Sequence, residues 1–383
     1  VRGARARRAF LSFPYRLYSG DPIWVPPLYP ERRDAVEPGK GEFFRHGEAE
    51  LFVARRGGEV VGTICAGEDF SANGACSRKD CLFGFYDYIE DFEVALALMD
   101  AAAAWGAARG LETLFGPNNL DYENAYGVLV EGRDRPPTLL CGHSPPYYLG
   151  FMEAMGFEPS RDDAIALEIR LDRPLPDRER LERAAAMAAR RSGVRVRGAD
   201  FARIDEEIDR VHGIMNRALA HLQGFIPVPR STVEALVRPF VAIADPELIL
   251  FAEKGGETVG FFPAVPNLNE AFARMGGLRY PWQYLGLPLA LLRARGGILG
   301  HASGRRIECV TAKSILVPPE HWRTGVGIAL LDELYRRLRG RGYSWLDLSL
   351  TSAENPNTVP LAMRFGGRIY KRYRLFRKPI AAS

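Results

Sequence analysis

The chain has 383 residues, 47% of them apolar and 26% charged, a balance typical of soluble globular proteins and a length that suits two cores. A formal charge of +4 is too mild to demand a nucleic-acid partner. The five cysteines contain no CxxC pair, which argues against a disulfide framework and a zinc site. The longest apolar run, around "YLGLPLALL", is too short to span a bilayer, and the expected compartment is a reducing, cytoplasmic one.

In chain order, "RGARARR" reads as a solvated terminus and "DPIWVPPLYPERR" as an extended, proline-stiffened brace. "ARRGGEVVG" (Ala54 to Gly62) then marks a hairpin, because Gly-Gly supplies the positive φ angles of a tight turn. "CLFGFYDY" reads as a strand, Glu90 to Gly110 as an alanine-rich helix ended by glycine, and "LETLFGP" as a buried strand. A short helix follows in "PPYYLGFMEAMGF", and "DAIALEIRL" reads as another strand. The phrase "AEKGGETVG" (Ala252 to Gly260) repeats the first hairpin at a constant offset of 198 (252 less 54, 260 less 62).

The order of elements then recurs. "RIECVTAKSILV" and "SWLDLSL" read as strands around the helix "GVGIALLDELYRRLRGRG", where Ile328, Leu331, Leu334, Tyr335 and Leu338 keep helical spacing. "NTVPLAMRFGG" reads as a short helix and "RIYKRYRLFRK" as one final strand. A linking helix before Ser192 divides the chain into 1–192 and 193–383, and the second half carries an insertion at about 266–300. That insertion, rich in leucine, arginine, Trp282, Tyr280 and Tyr284, suits an extra packing helix better than a membrane-surface foot.

The stretch most informative about chemistry is "SILVPPEHWRTGVGIALLDEL", Ser314 to Leu334. A strand ends in Val-Pro-Pro, and a turn holding Gly325 and Gly327 opens a helix whose free amides and dipole favour a pyrophosphate. This segment resembles the acyl-CoA-binding loop of the GNAT superfamily of N-acyltransferases. "VRVRGADFARIDEEIDRVHGIMNRA" and "ENPNTVPLAMRFGG" extend the resemblance over nearly all of 193–383. Phrases such as "FPYRLYSGDPIWVPPL" and "GGRIYKRYRLFRK" resemble a bacterial family of tandem GNAT-like proteins across nearly the whole chain.

The resemblance implies an α/β fold of two tandem GNAT-like domains, each a mixed, mostly antiparallel sheet flanked by helices. It implies transfer from acetyl-CoA or another acyl-CoA to a small-molecule or peptide amine, without DNA or a membrane span. A non-catalytic GNAT-fold protein and an aminoacyl-tRNA-dependent transferase stand as alternatives. The segment Ile315, Leu316 and Val317 is expected along the pantetheine arm, and Trp322, Arg323, Thr324, Gly325, Val326, Gly327 and Ile328 around the pyrophosphate, with Asn355 nearby. Trp322 stands where the superfamily has Arg or Gln, and Ala362 where it has a Tyr acid. In the first half, Asp87, Glu90, Asp91 and Glu93 replace the glycine turn, so that copy reads as a scaffold. Glu308 is the candidate base, or a strand-edge carboxylate paired with an arginine; Tyr370 and Tyr373 are candidate acids, or packing aromatics; Asn355 is also a candidate helix cap. His212, His221 and His301 carry no sequence partner that points to catalysis.

Overall fold

A computed structural model describes residues 1–120, 127–222, 225–241, 244–288, 290 and 307–381. The chain divides into two compact units. The first comprises Val1–Ala164, Phe272–Leu287 and Lys371–Ser383; the second comprises Ile165–Ala271 and Pro288–Tyr370.

In the first unit, β1 (Gly47–Arg56), β2 (Glu59–Asp69) and β3 (Asp80–Tyr88) run antiparallel, and β4 (Thr113–Gly116) lies parallel to β3. The sheet is completed not by the next strand in sequence but by β14 (Phe376–Pro379), which sits between β4 and the two-residue β6 (Glu158–Pro159). The second unit repeats the plan. Its strands β8 (Arg195–Gly198), β9 (Ile249–Lys254), β10 (Glu257–Pro266) and β11 (Cys309–Ala312) are antiparallel neighbours, and β12 (Trp345–Ser352) lies parallel to β11. Here β7 (Ala164–Arg170) follows β12, and the start of β13 (Arg368–Arg374) follows β7. The division at 192 is therefore corrected. "DAIALEIRL" is buried on both faces, with Ile165, Leu167 and Ile169 on one, and takes its place in the second sheet, so the chain passes into the second unit near Ala164. The tail "RIYKRYRLFRK" is two strands broken at Leu375.

The repeated phrases fold alike. The paired turn glycines have nearly equal φ angles, 57° and 85° at Gly57 and Gly58, 58° and 85° at Gly255 and Gly256. The glycine that ends each phrase has a packing role. A Cβ at Gly62 would lie 2.6 Å from Leu98 and 3.0 Å from Val94; at Gly260 it would lie 2.8 Å from Val326 and 2.9 Å from Leu330. Each glycine lets a later helix settle on its sheet, Phe92–Ala107 in one unit and Val326–Gly340 in the other.

The "RGARARR" terminus is not simply solvated. A helix spans Ala4–Leu17 and buries Phe10, Leu11 and Phe13, with the arginines on its outer side. "DPIWVPPL" holds no helix or strand and opens on a turn in which the Trp24 amide donates to the Asp21 carbonyl at 3.3 Å, and "YPERRDA" forms the helix Tyr29–Ala35. Within the insertion, Leu268–Phe272 is a short helix, and short 3-10 turns occupy Gly276–Leu278 and Pro281–Gly286. Its remainder at 291–300, and His301, lie outside the described residues. Among the described residues no helix is long and apolar enough to cross a membrane.

Candidate active site

The parallel pairing of β11 with β12 ends at Ala312 opposite Leu348. Past that point the strands part. Lys313, Ser314, Ile315 and Leu316 on one side, and Ser349, Leu350 and Thr351 on the other, wall a cavity of about 160 Å³ in the second unit. Leu219, Phe262, Leu331, Leu361 and Ala362 close it with apolar surface.

The loop leading from this cavity to the next helix is held at several points. Phe261 takes both backbone groups of Leu316, donating to its carbonyl and accepting from its amide at 2.9 Å each. The backbone of Leu316 is thus engaged, and Leu316 still lines the cavity. The Trp322 indole donates to the Val317 carbonyl at 2.7 Å and meets the His221 ring edge-on at 4.8 Å. Trp322 thus shapes the loop, and Arg323 stays exposed. Thr324 turns its hydroxyl onto the His321 carbonyl at 2.8 Å.

The helix Val326–Gly340 begins at Gly325 (φ 86°) with no side-chain cap. Its counterpart in the first unit, Phe92–Ala107, is capped by Asp91, which accepts from the Val94 amide at 3.2 Å and pairs with Arg56 at 2.7 Å. A carboxylate occupies one helix start, while the other presents bare amides. The two glycines of this second start differ. A Cβ on Gly325 would collide with Ala188 of the helix Arg178–Ser192, whereas one on Gly327 would face Leu361 at 3.4 Å and Ile315 at 3.9 Å, both of them cavity residues. Gly325 therefore serves packing, and Gly327 keeps the approach to the cavity open. The residues present fit a bound diphosphate at this helix end.

Asn355 lines the cavity, but its carboxamide is engaged. Its oxygen accepts from the amides of Asn357 and Thr358 at 3.0 and 2.8 Å, at the start of the helix Thr358–Arg364 whose N-cap residue is Asn357, and its nitrogen donates to the Thr351 hydroxyl at 3.1 Å. Ala362 is fully buried in the cavity wall and offers no acid.

The candidate acids and base separate. Glu308 is exposed just before β11, at the strand end opposite the cavity, and does not line it. Tyr373 is buried in the first unit, where its hydroxyl donates to the Gly142 carbonyl at 2.9 Å. Tyr370 is in the second unit, and its hydroxyl donates to Asp347 Oδ1 at 2.7 Å.

That contact opens a cluster the sequence reading missed. Asp347 is fully buried on β12 and also accepts from Ser349 Oγ at 2.6 Å through Oδ2. Lys313 donates from Nζ to Ser349 Oγ at 2.8 Å and lies 3.9 Å from Asp347 Oδ2. The register explains the assembly. Cys309 and Thr311 stand opposite Trp345 and Asp347, so C-x-T-x-K and W-x-D-x-S place alternate residues on one face. The opposite face, with Val310, Ala312, Leu346 and Leu348, joins the apolar core beneath the helix Val326–Gly340. Burial, and after it the Asp347 and Glu270 carboxylates, push the Cys309 thiol well above its ordinary pKa. It stays protonated and is a poor nucleophile. Glu270 is itself raised by burial, although it accepts from the amides of Glu308 and Cys309 at 2.7 and 3.1 Å.

Two units of one mixed-sheet plan, the second opening its parallel strand pair beside a glycine-started helix, define the GNAT fold. The sequence profile of the acetyltransferase (GNAT) family matches residues 215–366. The chain is 31% identical over 375 residues to the bacterial ceramide synthase of Caulobacter vibrioides, covering 97% of this chain and 94% of that protein. It is 30% identical over 379 residues to protein YghO of Escherichia coli, covering 97% and 93%. The chain belongs to the acetyltransferase (GNAT) family. A tandem GNAT protein from the clavulanic acid biosynthesis pathway, solved without acetyl-CoA, shares the fold with a TM-score of 0.56 and 14% identity, over 99% of this chain and 96% of that one.

Proposed function

We propose that this chain is an acyl-CoA-dependent N-acyltransferase whose acceptor is a long-chain amine. The observation that carries the reading is the cavity between the parted ends of β11 and β12, directly before a helix that starts on bare amides. Amides from Gly325 to Ile328 would hold the diphosphate, with Ile315 and Val317 along the pantetheine arm. When bound, the thioester supplies an activated acyl carbon. The chain's own contribution is to hold an amine at that carbon inside apolar walls and to manage its proton.

The acceptor class rests on similarity to the protein named bacterial ceramide synthase, since a ceramide is the amide of a long-chain amino alcohol. Leu219, Phe262, Leu348 and Leu361 suit an aliphatic chain. Five unbridged cysteines fit a reducing, cytoplasmic setting. The test is a matrix of acetyl-, medium- and long-chain acyl-CoAs against short polyamines, amino acids and sphinganine, read by thiol release and by mass spectrometry of the amide. The expected product is the N-acyl long-chain amine; equal or greater turnover of short polar amines would refute the acceptor class.

A further inference from the structure

Lys313, Ser349, Asp347 and Tyr370 form one unbroken line of hydrogen bonds that begins in the cavity wall and ends in the sheet. Its arrangement is directional. Lys313 Nζ donates to Ser349 Oγ, whose own proton goes to Asp347 Oδ2, while Tyr370 holds Oδ1 from the other side. The Lys313 side chain is 22% exposed and that of Asp347 is 0%. Simple ion pairing of two strands would need neither the intervening hydroxyl nor a place for both donors in the cavity wall. Two further titratable groups among the described residues lie close to β11, Cys309 and Glu270. The Cys309 thiol is held protonated, and the Glu270 carboxylate is occupied by two backbone amides.

We infer that Lys313 is the catalytic acid for the departing thiolate, and that Ser349 conducts the acceptor's proton to Asp347, which Tyr370 positions. This assignment rests on the acyltransferase reading above. The neutral amine nitrogen forms a C–N bond at the acyl carbon, the C–S bond breaks, and its electron pair leaves on sulfur. The nitrogen's surplus proton passes to Ser349 Oγ as the Ser349 proton moves to Asp347 Oδ2. Lys313 Nζ releases a proton to the sulfur. The line then resets, the Asp347 proton returning through Ser349 to the neutral Lys313 amine, so no external acid or base is consumed. The products are an amide and a free thiol. This route supplies the acid that Ala362 cannot.

The test compares wild type with Lys313→Met, Lys313→Arg, Ser349→Ala and Asp347→Asn, using palmitoyl-CoA and sphinganine, with acyl-CoA affinity and melting measured on each. Lys313→Arg is the informative variant, because a guanidinium keeps the charge and does not release its proton. It is expected to bind palmitoyl-CoA as wild type does and to lose about 10²- to 10⁴-fold in kcat, as Lys313→Met does. A second readout is independent of turnover: pH-dependent amine modification of the six lysines, followed peptide by peptide. In Asp347→Asn, Lys313 should be modified several-fold faster at pH 8 than in wild type, with Lys40, Lys79 and Lys254 unchanged, because the hydrogen-bonded line that holds its amine through Ser349 is broken. Ser349→Ala covers the case in which Asp347→Asn does not fold; its kcat should fall while acyl-CoA affinity holds. Wild-type turnover by Lys313→Arg, or identical Lys313 modification with and without the Asp347 charge, would overturn the assignment. Absence of amide from the wild-type protein is instead a failure of the acyltransferase reading, and the modification rates still decide the coupling.

Discussion

Gly325 and Gly327 are two residues apart, and alanine at each should do opposite things. At Gly325 the φ of 86° costs an L-residue about 1–2 kcal/mol. The new Cβ also collides with Ala188, and overpacking of this kind costs about 1–3 kcal/mol more. Together these are about 2–5 kcal/mol, which for a unit of this size lowers the melting temperature by roughly 5–15 °C. At Gly327 the Cβ meets its nearest neighbour, Leu361, at 3.4 Å, an ordinary contact, and alanine gains up to about 1 kcal/mol in helix propensity. Gly327→Ala should therefore melt at or slightly above wild type. Its methyl points toward Ile315 and Leu361, so acyl-CoA should bind at least about tenfold more weakly, near 1.4 kcal/mol. Calorimetric melting and isothermal titration with palmitoyl-CoA measure both. Wild-type acyl-CoA affinity in Gly327→Ala, or wild-type melting in Gly325→Ala, would refute the division of roles.

Three further outcomes follow from single contacts. Asn355→Ala removes the acceptor of the Asn357 and Thr358 amides at the start of Thr358–Arg364 and should cost about 0.5–2 kcal/mol in urea unfolding, whatever its effect on turnover. Trp322→Phe keeps a ring but loses the bond to the Val317 carbonyl, so amides of the loop from Pro318 to Gly325 should exchange hydrogen faster, by about 0.5–1.5 kcal/mol in protection. Lys371 is fully buried, and burial pulls its pKa from 10.5 to about 8, although the carbonyls of Gly132 and Arg135 accept its protons. Because the folded value is depressed, the stability it contributes is present above the unfolded value near 10.5 and is lost as pH falls through about 8. Between pH 8 and 10.5 wild type should gain up to about 3 kcal/mol relative to Lys371→Met, and parallel stability curves for the two proteins would contradict this.

The duplicated plan was legible because its markers are local. Two Gly-Gly turns, and a glycine under each following helix, repeat at one offset and fold alike. The glycine-started and acid-capped helix starts were legible for the same reason, since caps act within a turn. Strand partners were not. Alternation marks "DAIALEIRL" and "RIYKRYRLFRK" as strands, but nothing in their period says which sheet they complete, and β7 and β14 complete sheets distant in sequence. The polar line was missed for a related reason. Asp347 in "SWLDLSL" reads as the outward residue of an alternating strand, and its burial depends on the whole of that face being covered. The signal that would have found it is the matched pair C-x-T-x-K and W-x-D-x-S on strands expected to lie side by side. Glu308 was chosen by position along β11, and its side chain falls at the wrong end of the strand.

The most direct measurement is a single reaction of purified protein with palmitoyl-CoA and sphinganine, quenched and analysed by mass spectrometry for amide and by a thiol reagent for CoA. Acyl-CoA consumption matched one for one by N-palmitoyl amide, with none of either from Lys313→Arg, is the expected result. Thiol release that yields free palmitic acid instead, or bound palmitoyl-CoA that no amine consumes, would contradict acyl transfer to a long-chain amine.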